Sequence, residues 1–156
     1  MAEPLEGQGA RATTLTGDVV SRSVASSGSA AIRAAAIMDL ALGLRFGIGA
    51  TITLDHDARE GELPMTPFGF RSLAGGPFEG LTREQFTALG WVLAGVCALD
   101  VVAGTWLWQG RRRGAALGLA TSPLALLLGA GFALPFLLIG VPVRAALVLA
   151  GRRTLR

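Results

Sequence analysis

The stretch TREQFTALGWVLAGVCALDVVAGTWLWQGRRR, Thr82 to Arg113, decides how the chain is to be read. Thr82 stands three residues before Gln85, the spacing at which side chain and backbone cap one another at a helix start. From Phe86 to Trp108 there is one charge, Asp100, and the run closes on Gly110, a residue that favours a helix stop. Trp91 and Trp106 are separated by about 22 Å of helix. Phe86 and Trp108 lie just outside them, as an aromatic belt at two membrane interfaces requires. The stretch therefore predicts a membrane span over 84–109, followed by a basic turn at Arg111, Arg112 and Arg113.

Towards the C-terminus, residues 114–150 carry no charge except Arg144. They are too many for one span and enough for two short ones, predicted at 114–130 and 133–150. The reversal falls around Gly129, Gly131 and Pro135, with Phe132 and Phe136 at the interface. Pro123 and Pro142 should kink the two helices, since each deletes a backbone donor. Gly151 reads as a stop, and Arg152, Arg153 and Arg156 follow it.

Towards the N-terminus, Ser29 to Leu54 turns apolar through Ile32, Ile37, Leu40, Leu44, Ile48 and Ile52, interrupted by Arg33, Asp39 and Arg45. With Ser29 as cap, this predicts a span over 30–54. Residues 1–28 are rich in Gly, Ser, Ala and Thr; they read as a flexible cytoplasmic tail rather than a cleaved signal peptide. The polar loop 55–83 is acidic and broken by Pro64, Pro67 and Pro77. Its Phe68, Phe70 and Phe78 predict that the segment from Pro64 to Glu79 folds back onto the membrane surface or the helix ends.

The fold class is thus all-α: an integral membrane four-helix bundle, residues 29–156, with a structured extracytoplasmic loop between helices 1 and 2. Composition agrees, with 51 % apolar residues, 16 % charged and a mean hydropathy of +0.53. All 14 basic residues are Arg, which with abundant Gly and Ala reads as GC-rich coding and a bacterial inner membrane. The arginine clusters after spans two and four fall on one side and the acidic loop on the other. Positive-inside logic puts both termini in the cytoplasm.

The same composition excludes several functions. The pI near 10.9 would suggest nucleic acid in a soluble protein, but here the arginines flank apolar runs and set orientation, so no nucleic-acid partner is expected. A single cysteine, Cys97, allows no disulfide or Cys-x-x-Cys redox pair. Asp55-His56-Asp57 looks like a metal cluster, yet adjacent residues cannot all face one ion and no second histidine exists, so a solvated helix end explains the trio and no metal is expected. The solitary His56 also argues against a bis-histidine haem and a hydrolytic triad, and no cofactor is predicted.

Intramembrane charges are expensive and default to a functional reading. Counted from the cytoplasmic helix ends, Asp39, Asp100 and Arg144 all lie roughly 10 to 12 Å deep. They form one candidate charge cluster. Ala36, Asp39, Gly43, Gly47 and Ala50 share a small-residue stripe on span one, so Asp39 faces protein. Two carboxylates near one guanidinium suit a bidentate pair with one acid free to hold a proton. The bland alternative is that Arg144 merely neutralises both acids and locks the helices.

Arg45 falls opposite Gly43 and Gly47, with no acid at its level; it either snorkels or meets another subunit. Gly43-x-x-x-Gly47 and Gly114-x-x-x-Gly118 are packing motifs in this setting. Arg45, Gly43, Gly47, Phe68 and Phe70 are therefore the candidate partner contacts, the partners being the lipid bilayer and other membrane subunits or a second copy. Three functions follow: an accessory or assembly subunit of a larger membrane complex, a small oligomeric proton- or cation-coupled transporter or channel using Asp39, Asp100 and Arg144, and an enzyme. No nucleophile, base and orienter can be assembled for the last, so no catalytic residue is predicted.

Overall fold

The computed structural model describes residues 7–65, 73 and 76–155, with side chains described from Gly28 on. Four α-helices, α1 (Gly7–Glu60), α2 (Arg83–Trp108), α3 (Arg112–Gly131) and α4 (Pro135–Gly151), are accompanied by 3-10 turns at Pro77–Gly80 and Arg152–Thr154. Each α-helix contributes a segment long and apolar enough to cross a membrane, beginning in α1 at Gly28 and ending in the last case at Thr154. Consecutive helices are neighbours, and α4 closes the ring against α1.

Both ends of α1 run past the expected span. Residues 7–27, expected as an irregular tail, continue the helix backwards. That stretch contains no proline, so nothing in it forbids helical backbone, and Ser29 lies inside the helix rather than capping it. The loop expected from Asp55 begins instead at Gly61. Arg59 reaches back to Asp55 at 3.0 Å and His56 pairs with Glu60 at 3.3 Å, one-turn contacts that support helix. Gly61, at φ +77°, then ends it, its N–H donating to the Asp57 carbonyl at 2.9 Å.

α2 starts with the full capping box between Thr82 and Gln85. It stops where Gly110 adopts φ +72°, while the Arg111 N–H donates to the Trp106 carbonyl at 2.9 Å. α3 and α4 join through a tight turn in which Ala133 takes φ +50° and the Leu134 N–H donates to the Gly129 carbonyl at 2.7 Å. Pro123 and Pro142 both lie inside helices. α4 ends at Gly151 as expected, with right-handed backbone that passes into the 3-10 turn. Gly151 is also a contact point, since a methyl group there would fall 2.7 Å from the Gly28 carbonyl oxygen.

Two aromatic assignments change. Phe132 and Phe86, expected at the lipid interface, are buried. Phe132 packs at near right angles to the rings of Phe78, at 5.1 Å between centroids, and of Phe86, at 5.3 Å. The loop's closing turn is thereby folded back onto the α3–α4 corner, at the end of the bundle opposite Arg111, Arg112, Arg113 and Arg152. Trp91, Trp108 and Phe136 are exposed. Phe68 and Phe70 lie outside the described residues.

The interior has three layers. One apolar cluster gathers Ala50, Phe86, Leu93, Val96, Cys97, Ala125, Leu128, Phe132, Leu137 and Val141. The other gathers Ile32, Ala35, Ala36, Leu107, Ala115, Val148 and Leu155 near the arginine-rich end. Between them, on every helix, lie polar or charged residues: Asp39, Asp100, Thr121 with Ser122, and Arg144.

Candidate functional site

Small residues let the four backbones close around this middle layer. Apolar surface gains nothing by leaving lipid, so association depends on close packing and polar contacts. A methyl group on Gly43 would fall 2.8 Å from the Cys97 carbonyl oxygen, and one on Gly114 would fall 2.7 Å from that of Ala103. Thus Gly43, taken from sequence as a partner contact, is used within the chain against α2, and Gly47 faces the Cys97 side chain beside it. A stripe of glycines does not say whether the helix it meets is its own neighbour or another chain's.

Asp39, Asp100 and Arg144 meet at the centre, exposed by only 0, 2 and 1 %. Arg144 Nη1 lies 2.6 Å from Asp39 Oδ1 and 2.9 Å from Asp100 Oδ1. A single nitrogen serves both carboxylates, so neither receives the two-pronged fork considered from sequence. The other prong is turned to α3. There Nη2 donates to the Gly118 carbonyl and to Ser122 Oγ, each at 2.8 Å. Thr121 Oγ1 donates to Asp100 Oδ1 at 2.8 Å, and Ser122 Oγ donates to the Gly118 carbonyl at 2.6 Å. Each helix thus supplies at least one member.

Thr121, Ser122 and the Gly118 carbonyl were not singled out from sequence. The available signal was a pair of hydroxyls directly before Pro123, one turn after Gly118. Pro123 has no N–H for the Leu119 carbonyl, and in this interrupted turn the neighbouring Gly118 carbonyl becomes an acceptor for arginine. One atom of the cluster is left over: Asp39 Oδ2 is buried without a hydrogen-bond partner among the described residues.

Arg45 is exposed on the outer face of α1, among the exposed Leu44, Ile48 and Ile52. It makes no ion pair or hydrogen bond among the described residues. An open apolar groove of about 440 Å³ runs between α1 and α2, lined by Gly43, Leu44, Gly47, Ile48, Thr51, Ile52, Ala94, Ala98 and Val101 but not by Arg45.

At the far end a cleft of about 740 Å³ is lined by His56, Asp57, Glu60, Glu62, Glu79 and Arg83, among others. Asp57 is engaged there: Arg83 Nη2 donates to its carbonyl at 2.7 Å and to its carboxylate at 3.2 Å. That contact ties the end of α1 to the start of α2. Among the described residues no group of three His, Cys, Asp or Glu side chains is placed to hold a metal. At the opposite end, Arg112 Nε donates to the Leu155 carbonyl at 3.1 Å, which joins the basic turn to the C-terminal arginines.

No protein-family model, curated protein or solved structure matches the chain.

Proposed function

We propose that the protein is an accessory or assembly subunit of a larger complex in a bacterial inner membrane, acting through helix contacts, with both termini cytoplasmic. The observation that carries this reading is Arg45. It is a guanidinium on the apolar outer face of a spanning helix, with no partner of its own among the described residues. A charge in that position is costly in lipid, and intramembrane charges pair with other groups. The three other charges at depth pair with one another inside the bundle, out of reach of the outer face, so the chain has no internal acid to offer Arg45.

The test is native extraction in a mild detergent with determination of complex mass. Wild-type protein should elute above its own mass, and Arg45→Leu should elute at it with an unchanged melting profile. A wild-type monomer, indifferent to Arg45→Leu, defeats the reading. A second reading, a proton- or cation-coupled transporter working through Asp39, Asp100 and Arg144, is favoured by the unpartnered Asp39 Oδ2. It requires a pH-dependent flux in vesicles that disappears in Asp100→Asn.

A further inference from the structure

We infer that the outer face of α1 receives a transmembrane helix carrying a carboxylate at mid-depth. This rests on the subunit reading and goes beyond it by excluding two other occupants, a lipid headgroup and a second copy of this chain.

Depth excludes the headgroup. On α1, Gly43 touches the α2 backbone at Cys97 and Val101, and Gly47 faces Cys97; Arg45 lies between them and so is level with Cys97. Trp91 and Trp106 bracket that level, with Arg45 about 9 to 14 Å from either, at 1.5 Å per residue. Lipid phosphates lie at or beyond the tryptophan level, farther than an arginine stem can carry its head by snorkelling.

Charge excludes the second copy. The carboxylates this chain holds at depth, Asp39 and Asp100, are at most 2 % exposed and both contact Arg144. A second copy has none to present. A symmetric contact across this face would also bring two Arg45 side chains together, like charge against like in low dielectric. What remains is an acid on a different helix, and a guanidinium is the cation best suited to take a carboxylate with two donors. The exposed Leu44, Ile48 and Ile52 around Arg45 give such a helix an apolar surface to pack on.

Full-length protein in phosphatidylcholine vesicles tests this with synthetic Leu/Ala helices of roughly 20 residues carrying a central Glu, Gln or Leu. Association is read by energy transfer. The Glu helix should bind about ten-fold more tightly than the Leu helix, the scale of one polar contact in lipid. Arg45→Leu should abolish the difference, and Arg45→Glu should transfer the preference to a helix with a central Arg. The Gln helix probes the charge without altering the protein, so the test survives a variant that fails to fold. Equal binding of all three helices overturns the inference. So does Arg45-dependent energy transfer between two labelled copies, or loss of Glu-helix binding when phosphatidylglycerol is added. If the native complex still depends on Arg45 while the helices bind alike, the carboxylate assignment fails alone. A missing native complex removes the subunit reading itself.

Discussion

Arg144→Leu is the sharpest perturbation of the bundle. The substitution removes the nitrogen 2.6 Å from Asp39 and 2.9 Å from Asp100. It also removes the donor to the Gly118 carbonyl and Ser122. Two carboxylates then face one another inside the bundle with Thr121 as the remaining side-chain donor to Asp100. Breaking a buried ion pair by deleting one partner costs about 3 to 5 kcal/mol. In a chain of this length, each kcal/mol lowers the midpoint by about 2 to 4 °C, so Arg144→Leu should melt roughly 6 to 20 °C below wild type. The triple variant Asp39→Asn, Asp100→Asn, Arg144→Leu leaves no charge in the layer. Replacing a whole buried charge cluster is often close to neutral, and the triple variant should recover most of the loss. Thermal melts in one detergent, followed by tryptophan fluorescence, compare the three proteins. If Arg144→Leu melts no earlier than the triple variant, mutual compensation does not hold this layer together.

Two further outcomes are expected. In a Cys97→Ser background, Glu62→Cys should react with an impermeant maleimide in intact cells and Arg113→Cys should not; the reverse pattern inverts the proposed orientation. Gly131 lies under the Phe78 ring, so Gly131→Ala should displace the Pro77–Gly80 turn. Limited proteolysis should then cut the loop between α1 and α2 faster, with the melting of the helices little changed; an unaltered cleavage rate counts against the aromatic contact.

Sequence legibility follows from how rigidly each feature is tied to residue counting. Helix rise is constant, so the common level of Asp39, Asp100 and Arg144 could be counted from the chain ends. Rotation about the helix axis is not constant in the same way. Phe86 and Phe132 sit at depths where an aromatic can face lipid or core, and both turned inward. Thr121 and Ser122 give little signal in the sequence because a hydroxyl in a helix can bond its own preceding turn, as Ser122 does to Gly118. Such a residue needs no distant partner to be tolerated. The polarity of Asp55-His56-Asp57-Ala58-Arg59-Glu60 suggests a loop, although its charges are spaced to pair along a helix. Gly43 was legible as a close contact, and only the identity of the opposing backbone required the fold.

The charge layer also has a place in time. Arg144 follows Asp39 by 105 residues and lies on α4, which is made after the three helices before it. Through the synthesis of the first three helices, both carboxylates wait in the membrane without their cation. A chain that stops before α4 therefore differs from one that includes it in the charge left in this layer. The arrival of α4 supplies that cation, so closure of the bundle against α1 and neutralisation of the layer are the same event.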